Sequence, residues 1–145
     1  MQAGSPLEGA AVAGYFMRHL PLIARVLLGL IFLYYGVIEF EPVLPPDLGP
    51  EASAFIGALM DSGYFWQLLK VLEIVCGTLL ILGLFVPLML IMLAPVVVNG
   101  MLFHILLSPN EKTLVVALTL VLSLYLAYQY RSSFRAVLQP RTQLG

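Results

Sequence analysis

YFWQLLKVLEIVCGTLLILGL, the run from Tyr64 to Leu84, is long and apolar enough to cross a bilayer, yet it carries Lys70 and Glu73 three positions apart. A spanning helix needs roughly 20 mostly apolar residues. A charge in hydrocarbon costs about 2.5–3.5 kcal/mol even on lenient insertion scales, so it must be paired, hydrated or used. At that spacing the two side chains share a helix face and can pair directly. This stretch therefore decides the fold class and supplies the first functional candidates together.

Working outward, Leu20–Phe40 precedes it as a comparable run, and Pro87–Leu107 and Thr113–Tyr130 follow it. The charge-free stretch from Ile74 to Phe103 is too long for one helix. Gly83-Leu-Phe-Val-Pro87 divides it, because glycine ends helices well and proline is tolerated in a first turn. Ser108-Pro109-Asn110 separates the third span from the fourth. The prediction is an all-α membrane protein, a four-transmembrane-helix bundle with its membrane domain at residues 20–130. Residues 1–19 form an N-terminal segment and residues 131–145 a C-terminal tail.

Composition agrees. The chain has 145 residues, 61% of them hydrophobic and 10% charged, whereas a soluble domain of this size needs far more charged surface. Lipid is the solvent this sequence expects. A net charge of −1 offers nothing to nucleic acid. Cys76 is the sole cysteine, which excludes an intramolecular disulfide, a Cys-x-x-Cys redox pair and a multi-cysteine cluster. The first seventeen residues lack a basic start and no small-residue cleavage pattern follows the first run, so that run reads as a retained span.

Arg18, Arg25, Arg131, Arg135 and Arg141 lie near the two ends of the chain, while the first connection holds Glu41, Asp47, Glu51 and Asp61 without a basic residue. By the positive-inside rule this predicts a multi-pass inner (plasma) membrane protein with both termini cytoplasmic. Tyr64, Phe65 and Trp66 then mark the outer interface, and Tyr125, Tyr128 and Tyr130 the inner one. Arg25 is expected to snorkel to headgroups. In the first connection, Pro42, Pro45, Pro46 and Pro50 lead into Glu51–Asp61, where Phe55, Ile56, Leu59 and Met60 have helical spacing. That is a short amphipathic helix, either lying on the outer surface or acting as a lid.

Topology assigns depth to the polar residues. Glu39 falls at the outer end of the first span, and Lys70 and Glu73 roughly 9–14 Å below the start of the second. Asn99 lies past the middle of the third span and His104 close to its outer end. Glu39, Lys70, Glu73, Asn99 and His104 thus gather in one half of the bundle as candidates for ligand binding or proton transfer, none with a firm catalytic role. Glu39 is placed to give Lys70 a second carboxylate, and His104 to bridge to Glu73. Asn99 is about 140° round an ideal helix from His104, so the two need not face one way. One histidine with carboxylates is a poor donor set for zinc or copper, and no metal site is expected. The plainer reading stays open: buried polar pairs hold membrane helices in register at roughly 0.6–2 kcal/mol each without chemistry. Gly29, Gly36, Gly77 and Gly83 are expected to let helices approach closely.

Arg25, Phe32, Gly36, Leu72-Glu73, Gly77, Leu82-Gly83, Phe103-His104 and Lys112 together resemble the pattern of DoxX-type small membrane proteins over about residues 20 to 130. In that pattern the polar position three residues beyond the first glycine is usually lysine, and here it is Glu39. Lys70 would then restore the displaced positive charge from the neighbouring helix. The resemblance implies a four-helix membrane bundle. It also implies links seen among such proteins: thiosulfate oxidation with electrons passed to quinone, membrane complexes that handle oxidative stress, and, more distantly, maturation or trafficking of other proteins.

Three functions follow. The first is a quinone-linked or redox-complex-associated subunit; no redox centre is encoded, so quinone would be the cofactor, a membrane or redox protein partner would supply electrons, and independent catalysis is not expected. The second is a non-enzymatic accessory subunit, scaffold or assembly factor. The third is a small transporter or proton channel, for which four helices are few unless the protein forms a homo-oligomer.

Overall fold

The structure is a computed structural model that describes residues 6–137, with side chains described for Tyr15 and from Met17 onward. The first five residues of the N-terminal segment and positions 138–145 of the tail, Arg141 among them, lie outside the described residues. Six helices follow in order: α1 (Pro6–Ile38), α2 (Pro50–Asp61), α3 (Phe65–Leu82), α4 (Val86–Leu106), α5 (Lys112–Gln129) and α6 (Arg131–Val137). Four of them contain spans long and apolar enough to cross a membrane: Met17–Ile38, Phe65–Leu82, Val86–Leu106 and Lys112–Gln129.

The predicted breaks occur where the residues demand them. Gly83 ends α3 in the left-handed conformation, at φ 76°, and its N–H reaches back to the carbonyls of Leu79 and Leu80. A left-handed glycine is the common way to stop a helix. Phe85, at φ 51°, then turns the chain into α4, with proline in the first turn. The amphipathic helix α2 forms as expected, opened by Pro50 at its first position. Two differences stand out. α1 begins at Pro6, well before the span, with proline tolerated at its first position, and it runs on through Pro21. α6 adds a short turn of helix after α5, seated by Phe134, which packs against the core.

α1, α3, α4 and α5 form a closed ring in which α1 and α3 make the most extensive contact. Their glycines explain why. A Cβ on Gly29 would lie 2.7 Å from the carbonyl oxygen of Gly77, and a Cβ on Gly77 would lie 2.7 Å from the carbonyl oxygen of Gly29 and 2.8 Å from the Leu33 nitrogen. Lipid tails are as apolar as leucine, so association rests on such close backbone packing rather than on a hydrophobic drive. The packed core fills the half of the bundle near Gly83. Leu28, Cys76, Leu80, Leu93 and Leu126 are fully buried there.

Arg25, expected at the headgroups, makes contacts within the bundle. Its guanidinium covers Gly83, where an added Cβ would come within 2.5 Å of Nη1, and Nη1 donates to the Tyr130 hydroxyl at 3.4 Å. The unpaired carbonyls at the C-terminal end of α3 attract a cation, so the arginine clamps α1, α3 and α5 together.

Candidate functional site

The opposite half, where α2 lies, is hollow. A cleft of about 1090 Å³ is lined by the last turns of α1, the first half of α3, the second half of α4 and the start of α5. α3 and α4 are joined tightly at Gly83 and stand apart at the other end, which leaves this space between them. α2 bridges the gap: it packs on α3, and Phe55 stacks against Phe103 of α4 with ring centroids 5.8 Å apart. Phe55, Ile56 and Leu59 of α2 line the cleft. The lid alternative therefore matches where the helix sits.

Lys70 is the centre of the polar network. Its Nζ donates to Glu39 Oε2 at 3.0 Å and to Glu73 Oε2 at 3.1 Å. The ammonium also lies 4.9 Å from the centroid of the Trp66 ring. Two carboxylates and an aromatic face thus satisfy a cation that is only 5% exposed. The link from Lys70 to Glu39 crosses the α1–α3 interface, the arrangement expected from the exchanged charges. Glu73 is buried beside it, and Glu39 is partly open to the cleft.

Two members of this network were not singled out from the sequence for the roles they play. Trp66 is not an interfacial marker but a buried residue whose Nε1–H donates to the Glu39 carbonyl oxygen at 2.9 Å. That carbonyl lies just past the end of α1, where helices leave acceptors without partners. The signal was present: Trp66, Lys70 and Glu73 follow the i, i+4, i+7 spacing of one helix face. Lys112, noticed only through the family resemblance, reaches Glu39 Oε1 at 3.6 Å from the first turn of α5. Only tertiary contact reveals that partnership, since 73 positions of chain separate the two residues.

His104 and Asn99 stand apart from the ion pairs. His104 does not bridge to Glu73; its Nδ1 lies 3.3 Å from the carbonyl oxygen of Ser108, four residues on. The local bond is available because that carbonyl falls in the turn beyond α4 with no helical partner. Asn99 and His104 nevertheless both line the cleft. The cleft wraps a broad arc of α4, from Pro95 to His104, so their angular separation does not part them.

Glu39, Lys70 and Glu73 are thus joined directly, with Lys112 and Trp66 added, while Asn99 and His104 face the same space from across it. The arrangement combines apolar walls, a buried ion network and unpaired hydrogen-bonding groups. It can bind an amphiphile with a polar head and exchange protons with it.

Comparison with known proteins agrees with the fold and identifies the family. The DoxX family model matches residues 20–105. The chain belongs to the DoxX family. It is also similar to "Uncharacterized membrane protein Rv3486" of Mycobacterium tuberculosis (strain ATCC 25618 / H37Rv), with 40% identity over 80 residues, 52% of this chain and 47% of that protein. The match thus spans about half the length of this relative. No solved structure matches the chain.

Proposed function

We propose that this DoxX-family protein is a quinone-linked subunit of a redox complex in the plasma membrane. The observation that supports the reading is the cleft. Its volume of about 1090 Å³ lies just above the ~300–1,000 Å³ range of small-molecule sites, and its walls combine apolar side chains with polar groups, as such sites do. A quinone matches both features, with an isoprenoid tail for the walls and a ring whose two oxygens need hydrogen-bonding partners. Glu73, Asn99 and His104 are the groups of this chain that hold and orient such a ring, and Glu73 and His104 are those that hold or release its protons. The bound quinone supplies the electron-carrying chemistry, and a membrane or redox protein partner supplies the electrons. The positive-inside rule supports a cytoplasmic Gly83 end, where Arg18, Arg25, Arg131 and Arg135 gather, and the cleft would then lie in the outer half of the membrane.

A second reading has its own observation. Lys70 is fully satisfied by groups of this chain, as a structural brace would be, and the protein would then be a non-enzymatic accessory subunit.

Mass spectrometry of native lipid nanodiscs, comparing wild type with Glu73→Gln, separates the two. A quinone retained by wild type and lost from the variant is the expected result. Partner proteins retained by both, with quinone in neither, overturns the quinone reading in favour of the brace.

A further inference from the structure

The balance of committed and free hydrogen-bonding groups in the cleft points to which redox form of the ligand it holds, an inference that rests on the quinone reading above. The donors of the wall are largely engaged. The Lys70 ammonium serves Glu39 and Glu73, the Trp66 indole serves the Glu39 carbonyl, and the Thr119 hydroxyl donates to the Val116 carbonyl at 2.7 Å. Lys112 is the exception: its ammonium stands 3.6 Å from Glu39 Oε1 at the rim, beyond hydrogen-bond length.

The acceptors are free. Glu73 uses Oε2 for Lys70, and Oε1 has no partner among the described residues. His104 is the more informative case. A carbonyl oxygen can only accept, so the contact with Ser108 puts the proton on Nδ1. In the neutral ring Nε2 then carries a lone pair and no hydrogen. Asn99 and Tyr35, which also line the cleft, both donate and accept and so favour neither form.

A quinone presents two carbonyl acceptors, and a quinol presents two hydroxyl donors. Facing the free oxygen of Glu73 or Nε2 of His104, a carbonyl is repelled and a hydroxyl is bonded. We infer that the cleft binds the quinol in preference to the quinone, with His104 Nε2 accepting from one ring hydroxyl.

The test is anaerobic titration of the full-length protein in nanodiscs with a decyl-tailed benzoquinone and, separately, its quinol. Trp66 is the only tryptophan and lines the cleft, so its fluorescence reports occupancy. The quinol is expected to bind about tenfold tighter, the ratio that one hydrogen bond supports. Tenfold corresponds to raising the midpoint potential of the bound two-electron couple by about 30 mV. His104→Ala is expected to bring the quinol down to the affinity of the quinone while leaving the quinone unchanged. His104→Gln, which returns an acceptor, is expected to restore part of the preference and guards against a folding defect. Equal affinities, or a tighter quinone, overturn the inference and leave the site standing. Binding of neither form overturns the quinone reading itself.

Discussion

The two halves of this bundle use similar residue types to opposite ends. Near Gly83, glycines bring α1 and α3 into backbone contact, leucines fill the centre, and Arg25 clamps three helices from below. Around α2 the cleft opens between α3 and α4 while α1 stays close to α3 at Gly36, and apolar residues line a space instead of filling it. Charge is absent from the leucine core and concentrated beside the space. The difference teaches where each kind of stability comes from. The packed half holds by shape, and the hollow half adds an ion network that ties the end of α1 to α3 along the wall of the space.

The largest effect should come from disturbing that network. Lys70→Met leaves Glu73 buried without its cation, and breaking a buried pair from one side costs about 3–5 kcal/mol. Thermal unfolding in nanodiscs should show the loss, and adding Glu73→Gln should recover most of it. If the double variant is as unstable as the single one, packing rather than charge supports the hollow half.

Next, one substitution made in both halves contrasts them directly. Gly77→Ala drives a Cβ against backbone atoms of Gly29 and Leu33 that cannot move aside, and overpacking of this kind costs about 1–3 kcal/mol. Gly100→Ala, facing the cleft side, meets only the Val116 side chain at 3.6 Å, an ordinary contact. There the better helix propensity of alanine should stabilise by about 0.5–1 kcal/mol. Denaturation midpoints of the same sign for the two variants would erase the distinction drawn between the halves.

The smallest effect is expected at the rim. Lys112→Gln removes a 3.6 Å contact between two partly exposed side chains, and such pairs are worth about 0–1 kcal/mol. Its unfolding temperature should stay close to that of wild type. A loss as large as that of Lys70→Met would mean that the network extends in strength to α5.

Much of this was legible from residue order. Four spans, the break at Gly83, the amphipathic segment after Pro50 and the pairing of Lys70 with Glu73 all follow from local rules of length, periodicity and cost in lipid. The contact between Glu39 and Lys70 was legible from their depths, and its reading as an exchange of charge came from the family resemblance. Trp66 was misread because aromatic residues at a span boundary commonly face the headgroups, and only its rotation toward Glu39 distinguishes it. The contacts of Arg25 with Gly83 and the Tyr130 hydroxyl were equally out of reach, since they join residues far apart in the chain. His104 was placed at the right depth with the wrong partner, since the Ser108 carbonyl competes locally for its ring.

The sequence by itself determined that this chain lives in a bilayer, how many times it crosses, and that ionisable groups gather in one half. Each follows from the cost of moving a single segment into hydrocarbon, a property of that segment alone. Tertiary structure decided that the gathering surrounds a cleft, that Lys112 and Trp66 belong to it, and which atoms are left free to meet a ligand. Those outcomes depend on how helices rotate and where they part, which no single segment specifies alone.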